Sequence, residues 1–297
     1  MYIIFTENSD SWHSQELKKS LKRLKRKVQC LSITNISLST SKPKSFIHNK
    51  KIIKYKDVKG VFVRAIPNGT FEEVIYYLNI LHIFELNNVV VYNNPTCIEQ
   101  SVDKVRTTMI LKKYNINTPD TIITSKISYL NSITKNLKDN ESKVIKPIFG
   151  SMGRGLEKID KTNIHPDYDL LNGVYYIQEF IKSKKDQYHD WRLFVIKNKV
   201  TACMKRVGNT WINNVSKGAT CNRYKPSLEM KKLAIDSLKA LNMNYAGVDI
   251  MKDHKGKLFV TEVNSIPAWE GLQSVYPKIS IADQIISDFI KKCQKKR

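Results

Sequence analysis

Residues 245–271 read YAGVDIMKDHKGKLFVTEVNSIPAWEG, and the fold is decided by how that stretch divides. Two apolar runs, 245–251 and 257–264, flank the turn segment DHKGK, which predicts two strands joined by a short hairpin. On the second strand Glu262 and Asn264 are two residues apart and point to one face; Asp249, on the first, can stand opposite them. The neighbours Val248, Ile250, Val260 and Val263 are apolar. A carboxylate set among such residues needs a cation, because a bare buried charge is costly. Two carboxylates and an amide oxygen are hard ligands of the kind Mg²⁺ takes when it also binds phosphate oxygens. The plainer alternative is a solvated polar sheet face.

Upstream, VIKPIFGSMGRG (144–155) predicts a strand that delivers Lys146 and then enters a loop with Gly150, Gly153 and Gly155. Glycines let successive backbone N–H groups turn toward one anion, and a nearby ammonium adds charge. Neither GxxxxGK[ST] nor GxGxxG is present, so this is no standard nucleotide loop. Trp191–Arg206 alternates across a Lys197-Asn198 turn, which predicts a hairpin with Arg192 and Arg206 on its two arms and Asn214 and Lys217 beyond. Arginine is scarce, 9 residues against 41 lysines, so compositional drift does not explain where it is kept; its fork suits phosphate or carboxylate, or a structural ion pair. Lys104 lies in SVDKVRTTMILKKY (101–114), near the start of a long helix expected from the capping-box spacing Thr96–Glu99 to about Tyr114. No HxxH, HExxH or GxSxG occurs, which disfavours a zinc hydrolase or a serine nucleophile.

The first 93 residues alternate strands and helices. Tyr2–Phe5 and GVFVR (60–64) read as strands, as does Val89–Tyr92. Helices are expected over 17–28, with Leu17, Leu21, Leu24 and Val28 on one face, and over 71–86, with Val74, Ile75, Leu78 and Leu81 inward. This rhythm predicts an open α/β sheet over 1–93. From 94 onward the pattern is α+β with antiparallel ribbons: strands at 118–124, 144–149 and 174–181, and helices at 127–138, 227–242 and 279–292. Arg64, at a strand end, is a candidate for an acceptor carboxylate. Trp211 and Trp269 are candidates to stack a flat ring, with core packing as the alternative.

Composition excludes several classes. No apolar run approaches the roughly 18–20 residues needed to span a bilayer. The start, MYIIFTENSD, is unlike a signal segment. The five cysteines are scattered without a CxxC pair, which fits a reducing, cytoplasmic setting and argues against a disulfide framework. The formal charge is +23, but Lys, Ile and Asn make up 99 of the 297 residues. An AT-rich coding bias therefore accounts for much of the lysine, and the lysine-dense 18–27 segment reads as a solvated helix face. Attraction for polyanions is the functional alternative.

The order of these pieces is more specific than any one of them. Lys104, Lys146 with its glycine loop, QEFI (178–181), DWR (190–192), Arg206, NNVSKGA (213–219), AGVDI (246–250) and TEVNSIPAWEG (261–271) together resemble the ATP-grasp superfamily, in its RimK-like branch of amino-acid ligases. The resemblance covers essentially the whole chain. VRAIPNGTFEEV (63–74) and NSIPAWEGLQSV bring it nearest the glutamate ligases linked to tetrahydromethanopterin-type cofactors.

The resemblance implies an ATP-grasp fold, α/β (α+β), with an N-terminal open-sheet domain over 1–93, a first ATP-grasp part over 94–182 and a second over 183–297. It implies that Lys104 and Lys146 contact the phosphates of ATP, that Gly150, Ser151, Gly153 and Gly155 close over them, and that Glu179, Phe180 and Ile181 sit beside adenine. Gln178, Asp190 and Asn213 join the nucleotide contacts, with Asp186 as a second candidate for the ribose. Asp249, Glu262 and Asn264 would hold two Mg²⁺, with Mn²⁺ as a substitute. Arg192, Arg206, Asn214 and Lys217 would face an acyl phosphate, and Arg64 and Trp269 the substrate. Two positions depart from the family pattern: Ile212 stands where an arginine is usual, and Lys217 cannot make arginine's fork.

The implied activity is an ATP-dependent ligase that adds L-glutamate to an acceptor carboxylate through an acyl phosphate. A pterin-type cofactor is the first acceptor and a protein or peptide C-terminus the second. Related ligases often assemble, which leaves a homo-oligomer open; membrane and nucleic-acid partners are not expected. A reading from another class is a non-catalytic, basic RNA- or ribosome-binding module on the same scaffold.

Overall fold

Tyr2–Phe5 (β1) is an apolar run buried along its whole length, as a strand covered on both faces must be. In the computed structural model, which describes residues 1–150, 153–163, 166, 171–183, 188–213 and 215–295, it leads into α1 (Trp12–Arg23) and β2 (Val28–Leu31). This helix lies earlier than the expected 17–28. Ser11 caps it by accepting from Ser14 N, Lys25 takes a left-handed φ of 55° beyond its end, and Val28 already pairs with Tyr2. Leu17 and Leu21 are buried; Leu24 is exposed.

A small antiparallel meander follows: β3 (Ile36–Ser37), β4 (Ser45–His48) and β5 (Lys51–Lys54). Then come β6 (Gly60–Val63), α2 (Phe71–Leu86) and β7 (Val91–Tyr92). The first sheet has the order β2–β1–β6–β7 and is parallel throughout. Thr70 and Glu73 form a capping box on α2. Its inward face is Tyr77, Leu78, Ile80, Leu81 and Phe84; the expected Ile75 is exposed.

The helix expected from Thr96 to Tyr114 is two helices. Asn94, with Pro95 in the first turn, caps α3 (Pro95–Val102) by accepting from Cys97 N, in place of the Thr96–Glu99 pair. Asp103 then leaves helical geometry, with ψ 104°, and its carboxylate accepts from Val105 N and Arg106 N to start α4 (Lys104–Lys113). Lys104 is therefore the first residue of a helix.

The second sheet is antiparallel, in the order β10–β9–β11–β8. Its strands are β8 (Thr121–Thr124), β9 (Lys143–Lys146), β10 (Glu157–Ile159) and β11 (Tyr175–Glu179), with α5 (Ile127–Lys135) packed beneath.

The third sheet is a five-stranded antiparallel one, β14–β13–β12–β15–β16, built from β12 (His189–Ile196), β13 (Lys199–Val207), β14 (Thr220–Arg223), β15 (Tyr245–Lys252) and β16 (Leu258–Asn264). One face (Trp191, Leu193, Val248, Ile250, Val263) packs on α6 (Leu228–Ala240). On the other, Phe194, Met204 and Tyr245 join the first sheet, α7 (Glu270–Val275) and α8 (Ile281–Lys295) in one core. No helix among the described residues is long and apolar enough to cross a membrane.

Candidate active site

Strand register assembles the polar row of the five-stranded sheet. Asp190 pairs with Arg206, Arg192 with Asp249, Asp249 with Glu262, and Gly247 with Asn264. Directly paired residues share a face, so these side chains line one surface, beyond the apolar patch that meets the first sheet. The β15–β16 register shifts after Asp249, leaving Thr261 bulged with its hydroxyl on Asp249 O at 3.3 Å. A bulge of this kind re-aims neighbouring side chains.

The ionic contacts within the row are close. Arg192 donates from Nε and Nη2 to the two Asp249 oxygens, both at 2.7 Å. Arg206 grips Asp190 in the same way, at 2.6 and 2.7 Å, and its Nη2 lies 2.9 Å from Asp249 Oδ2. Asp190, Arg206 and Asp249 are all buried. Burial alone would raise the Asp249 carboxyl, but Arg192 and Arg206 outweigh it and hold it down to about 2. Burial pushes Asp190 up, to about 6, because the Arg206 charge it leans on is shared with Asp249. Those two carboxylates keep Arg206 charged despite its burial. Arg206 is thus engaged within the protein.

Two lysines come near this row, Lys146 from the second sheet and Lys104 from the start of α4. Lys146 ends β9 and donates to Gln178 Oε1 at 2.7 Å. Gln178 is itself buried, with its amide donating to Thr121 Oγ1 and Tyr176 Oη, so it orients Lys146 from within the sheet. Nothing in the sequence marked this relay except a glutamine set in the apolar strand YYIQE. Burial lowers Lys146 to about 8 against the pull of Glu262, and Lys104 also moves down by burial while feeling Glu262. Glu262 therefore lies within electrostatic reach of both lysines. Lys104 Nζ holds the loop, donating to Ile148 O at 3.2 Å and Gly150 O at 3.0 Å. Gly153 and Gly155 have φ of 71° and 67°, the left-handed region that favours glycine.

Beside β11, the N–H groups of Glu179 and Phe180 donate to Asp120 O and Ser142 O. A flat ring at this hinge would meet their carbonyls and Ile181 instead. The Phe180 ring meets Trp211 edge-on at 5.9 Å, with Lys158 Nζ 4.9 Å from its centroid. Asn213 is buried, its amide placed against Thr210 O and Tyr188 O. Lys217 is exposed in the 215–217 turn and joins none of the ion pairs among the described residues. Ser151, Asp186 and Asn214 lie outside the described residues.

The substrate reading of Trp269 gives way to packing. The indole is 1% exposed, against His13 at 4.6 Å and Phe194 at 6.3 Å. Arg64 stands over that ring at 5.5 Å, with Nη1 3.5 Å from Ile266 O. A separate cavity of about 470 Å³, lined by Arg223, Lys225, Lys231 and Tyr276 among others, includes no candidate residue.

The row suits Mg²⁺ carried with phosphate. Glu262 and Asn264 offer hard oxygens next to Asp249, and Asn264 Nδ2 is a buried donor without a partner. No three His, Cys, Asp or Glu side chains among the described residues gather as a cage. Mg²⁺ commonly takes one or two carboxylates and completes its shell with substrate phosphates. Asp249 could join only by loosening Arg192. Chemically, three carboxylates (Asp190, Asp249, Glu262) face four cations (Lys104, Lys146, Arg192, Arg206), a surplus of positive charge suited to an anion.

Residues 101–289 match the RimK-like ATP-grasp domain. The chain is 35% identical over 240 residues to the tetrahydromethanopterin:alpha-L-glutamate ligase of Methanocaldococcus jannaschii, covering 77% of this chain and 78% of that one. Its identity to the enzyme of the same description from Methanococcus maripaludis is 30%, over 96% of each chain. Among solved structures, the ATP-grasp ligase PsnB complexed with a minimal precursor superposes with a TM-score of 0.74, at 17% identity over 98% of this chain and 97% of that one. A complex of the same protein with Mg and ADP gives 0.72, at 16% identity over 99% and 98%.

Proposed function

The chain belongs to the RimK-like ATP-grasp family of ATP-dependent ligases, and on that premise we propose that it joins L-glutamate to the carboxylate of a pterin-type cofactor. What supports this reading most directly is Glu262, in β16, set within electrostatic reach of Lys104 on α4 and Lys146 on β9 while Asp249 beside it meets Arg192. One set of residues thus gathers phosphate-binding cations, metal-type oxygens and an arginine fork. The basic binding module would share this fold but show no glutamate-dependent ADP release.

A carboxylate does not exchange oxide for an amine at neutral pH, so it must first be given a leaving group. ATP supplies one by phosphorylating it, and the amine of glutamate then displaces phosphate. Lys104 and Lys146 hold the nucleotide phosphates, and Gln178 fixes Lys146 toward them. Asp249, Glu262 and Asn264 would hold Mg²⁺, which would offset phosphate charge when bound. Arg192 would turn its fork from Asp249 to the phosphoryl group in transit, and Arg206 holds Asp190 and Asp249 in register. Positioning and charge neutralisation are the tasks phosphoryl transfer sets a protein. The glycine loop over the phosphates would keep water from the activated acid.

The test is ADP release with Mg·ATP, L-glutamate and a panel of reduced pterin cofactors and glutamate-ended peptides, with Lys146→Ala as control. Release that needs both glutamate and a pterin supports the proposal. Release with peptides alone replaces the acceptor. Release that persists in Lys146→Ala overturns the site.

A further inference from the structure

We propose that Arg64 anchors a substrate carboxylate other than the one being activated, so that the site selects dicarboxylic substrates; this rests on the ligase reading above. The first sheet places it. From β1 the chain runs outward to β2, then returns to β6 on the other side of β1. Open α/β sheets bind ligands in the crevice outside the strand ends where the winding reverses. Arg64 is the residue after β6, and its N–H donates to Phe5 O at 2.8 Å, the last residue of β1.

The loop 265–269 forms the other wall, directly after the strand that carries Glu262 and Asn264. Arg64 touches it at Ile266 O, and Pro267 of the same loop lies against Gly247. A Cβ at Gly247 would sit 2.8 Å from Pro267 Cβ and 3.8 Å from Arg192 Cδ. One short loop therefore separates Arg64 from Arg192.

Among the described residues Arg64 meets a ring and a carbonyl but no carboxylate. It is half-buried, with one long hydrogen bond, and among the described residues no acid forms an ion pair with it. His13 is kept neutral by burial and by Arg64, down to about 3, and its Nε2 accepts from Trp269 N at 3.0 Å. Two more donors nearby, Trp269 Nε1 and Tyr245 Oη, are buried without partners. The guanidinium has one long bond to a carbonyl, and a sheltered charge without a counter-ion is costly. A carboxylate fits the fork with two parallel hydrogen bonds. The proposed nucleotide site has its own cations, Lys104 on α4 and Lys146 on β9.

The experiment is calorimetric binding of L-glutamate and glutarate to the full chain with Mg·AMPPNP present, with butyrate as a one-carboxylate control. Wild type should bind both dicarboxylates, and butyrate at least about tenfold more weakly. Arg64→Gln should weaken both by about 30-fold, or about 2 kcal/mol, and Arg64→Lys by less, with Mg·AMPPNP affinity unchanged. Equal affinity in Arg64→Gln, no dicarboxylate binding in wild type, or a loss in nucleotide affinity instead would each overturn the proposal. If Arg64→Gln does not fold, Arg64→Lys decides by the same comparison. The measurement needs no turnover. A chain that binds dicarboxylates through Arg64 yet releases no ADP would overturn the ligase reading alone.

Discussion

Lys146 is half-buried without a full counter-charge, and that sets how the nucleotide side of the site responds to pH. Burial lowers it to about 8. Between that value and the ordinary lysine range the unfolded chain keeps a proton that the folded chain has released, so this group's contribution to stability rises with pH there. Nucleotide binding runs the other way, because the phosphates need the charged form. Affinity for Mg·ATP should fall as pH rises through 8, by at most about tenfold per unit, and Lys146→Met should bind weakly with a flat profile; titration of a fluorescent ATP analogue checks both. Arg192 makes a different prediction. Its fork holds Asp249 through two bonds, which lysine cannot reproduce. Arg192→Lys should lower kcat by about 100-fold and leave Mg·ATP affinity within about threefold. Equal, small effects on both would remove the residue from the transition state.

At the scale of elements, the break between α3 and α4 aims a functional side chain. Asp103 satisfies two N–H groups at the start of α4, which fixes Lys104 in the first turn and its Nζ on the glycine loop. Asp103→Ala should cost about 1 kcal/mol of stability and weaken Mg·ATP binding several-fold, read by urea unfolding and equilibrium binding. An unchanged nucleotide affinity would mean that the loop holds Lys104 without the cap. The sequence did not reveal this break, because no glycine or proline stands between Thr96 and Tyr114 to mark it. It did reveal the strands of the metal-type row, since AGVDI and TEVN set acids among β-branched residues. The partners of those acids were not legible: Arg192 meets Asp249, and Arg206 meets both Asp190 and Asp249, only through a register fixed by strands distant in sequence. The β3–β5 meander and β14 (TCNR) escaped for a simpler reason. They are short and polar, and alternation needs length to be seen.

For the whole molecule, the last helix decides how the sheets hold together. The chain leaves the five-stranded sheet at Asn264, yet α8 packs back on the first sheet. Phe289 lies 5.6 Å from Tyr2, 5.8 Å from Phe62 and 5.4 Å from Tyr92, ring to ring. The same cluster takes in Phe194, Tyr245 and Trp269 from the third sheet and its loop. Tyr92 also stacks on Tyr245 at 5.2 Å, and Asn93 ties the two sheets by donating to Tyr245 O and Ser265 O. A side chain shared in this way cannot be lost by one sheet alone. Phe289→Ala should therefore destabilise by about 3–5 kcal/mol, and urea unfolding followed by tryptophan emission and by far-ultraviolet dichroism should stay coincident. Separate transitions would show that the first sheet folds by itself. A cost below about 1 kcal/mol would mean that the core closes over the gap. Arg64 joins these same parts, its N–H on Phe5 O and its guanidinium over the Trp269 ring, so loosening Phe289 should also weaken dicarboxylate binding more than nucleotide binding, whose lysines stand on α4 and β9.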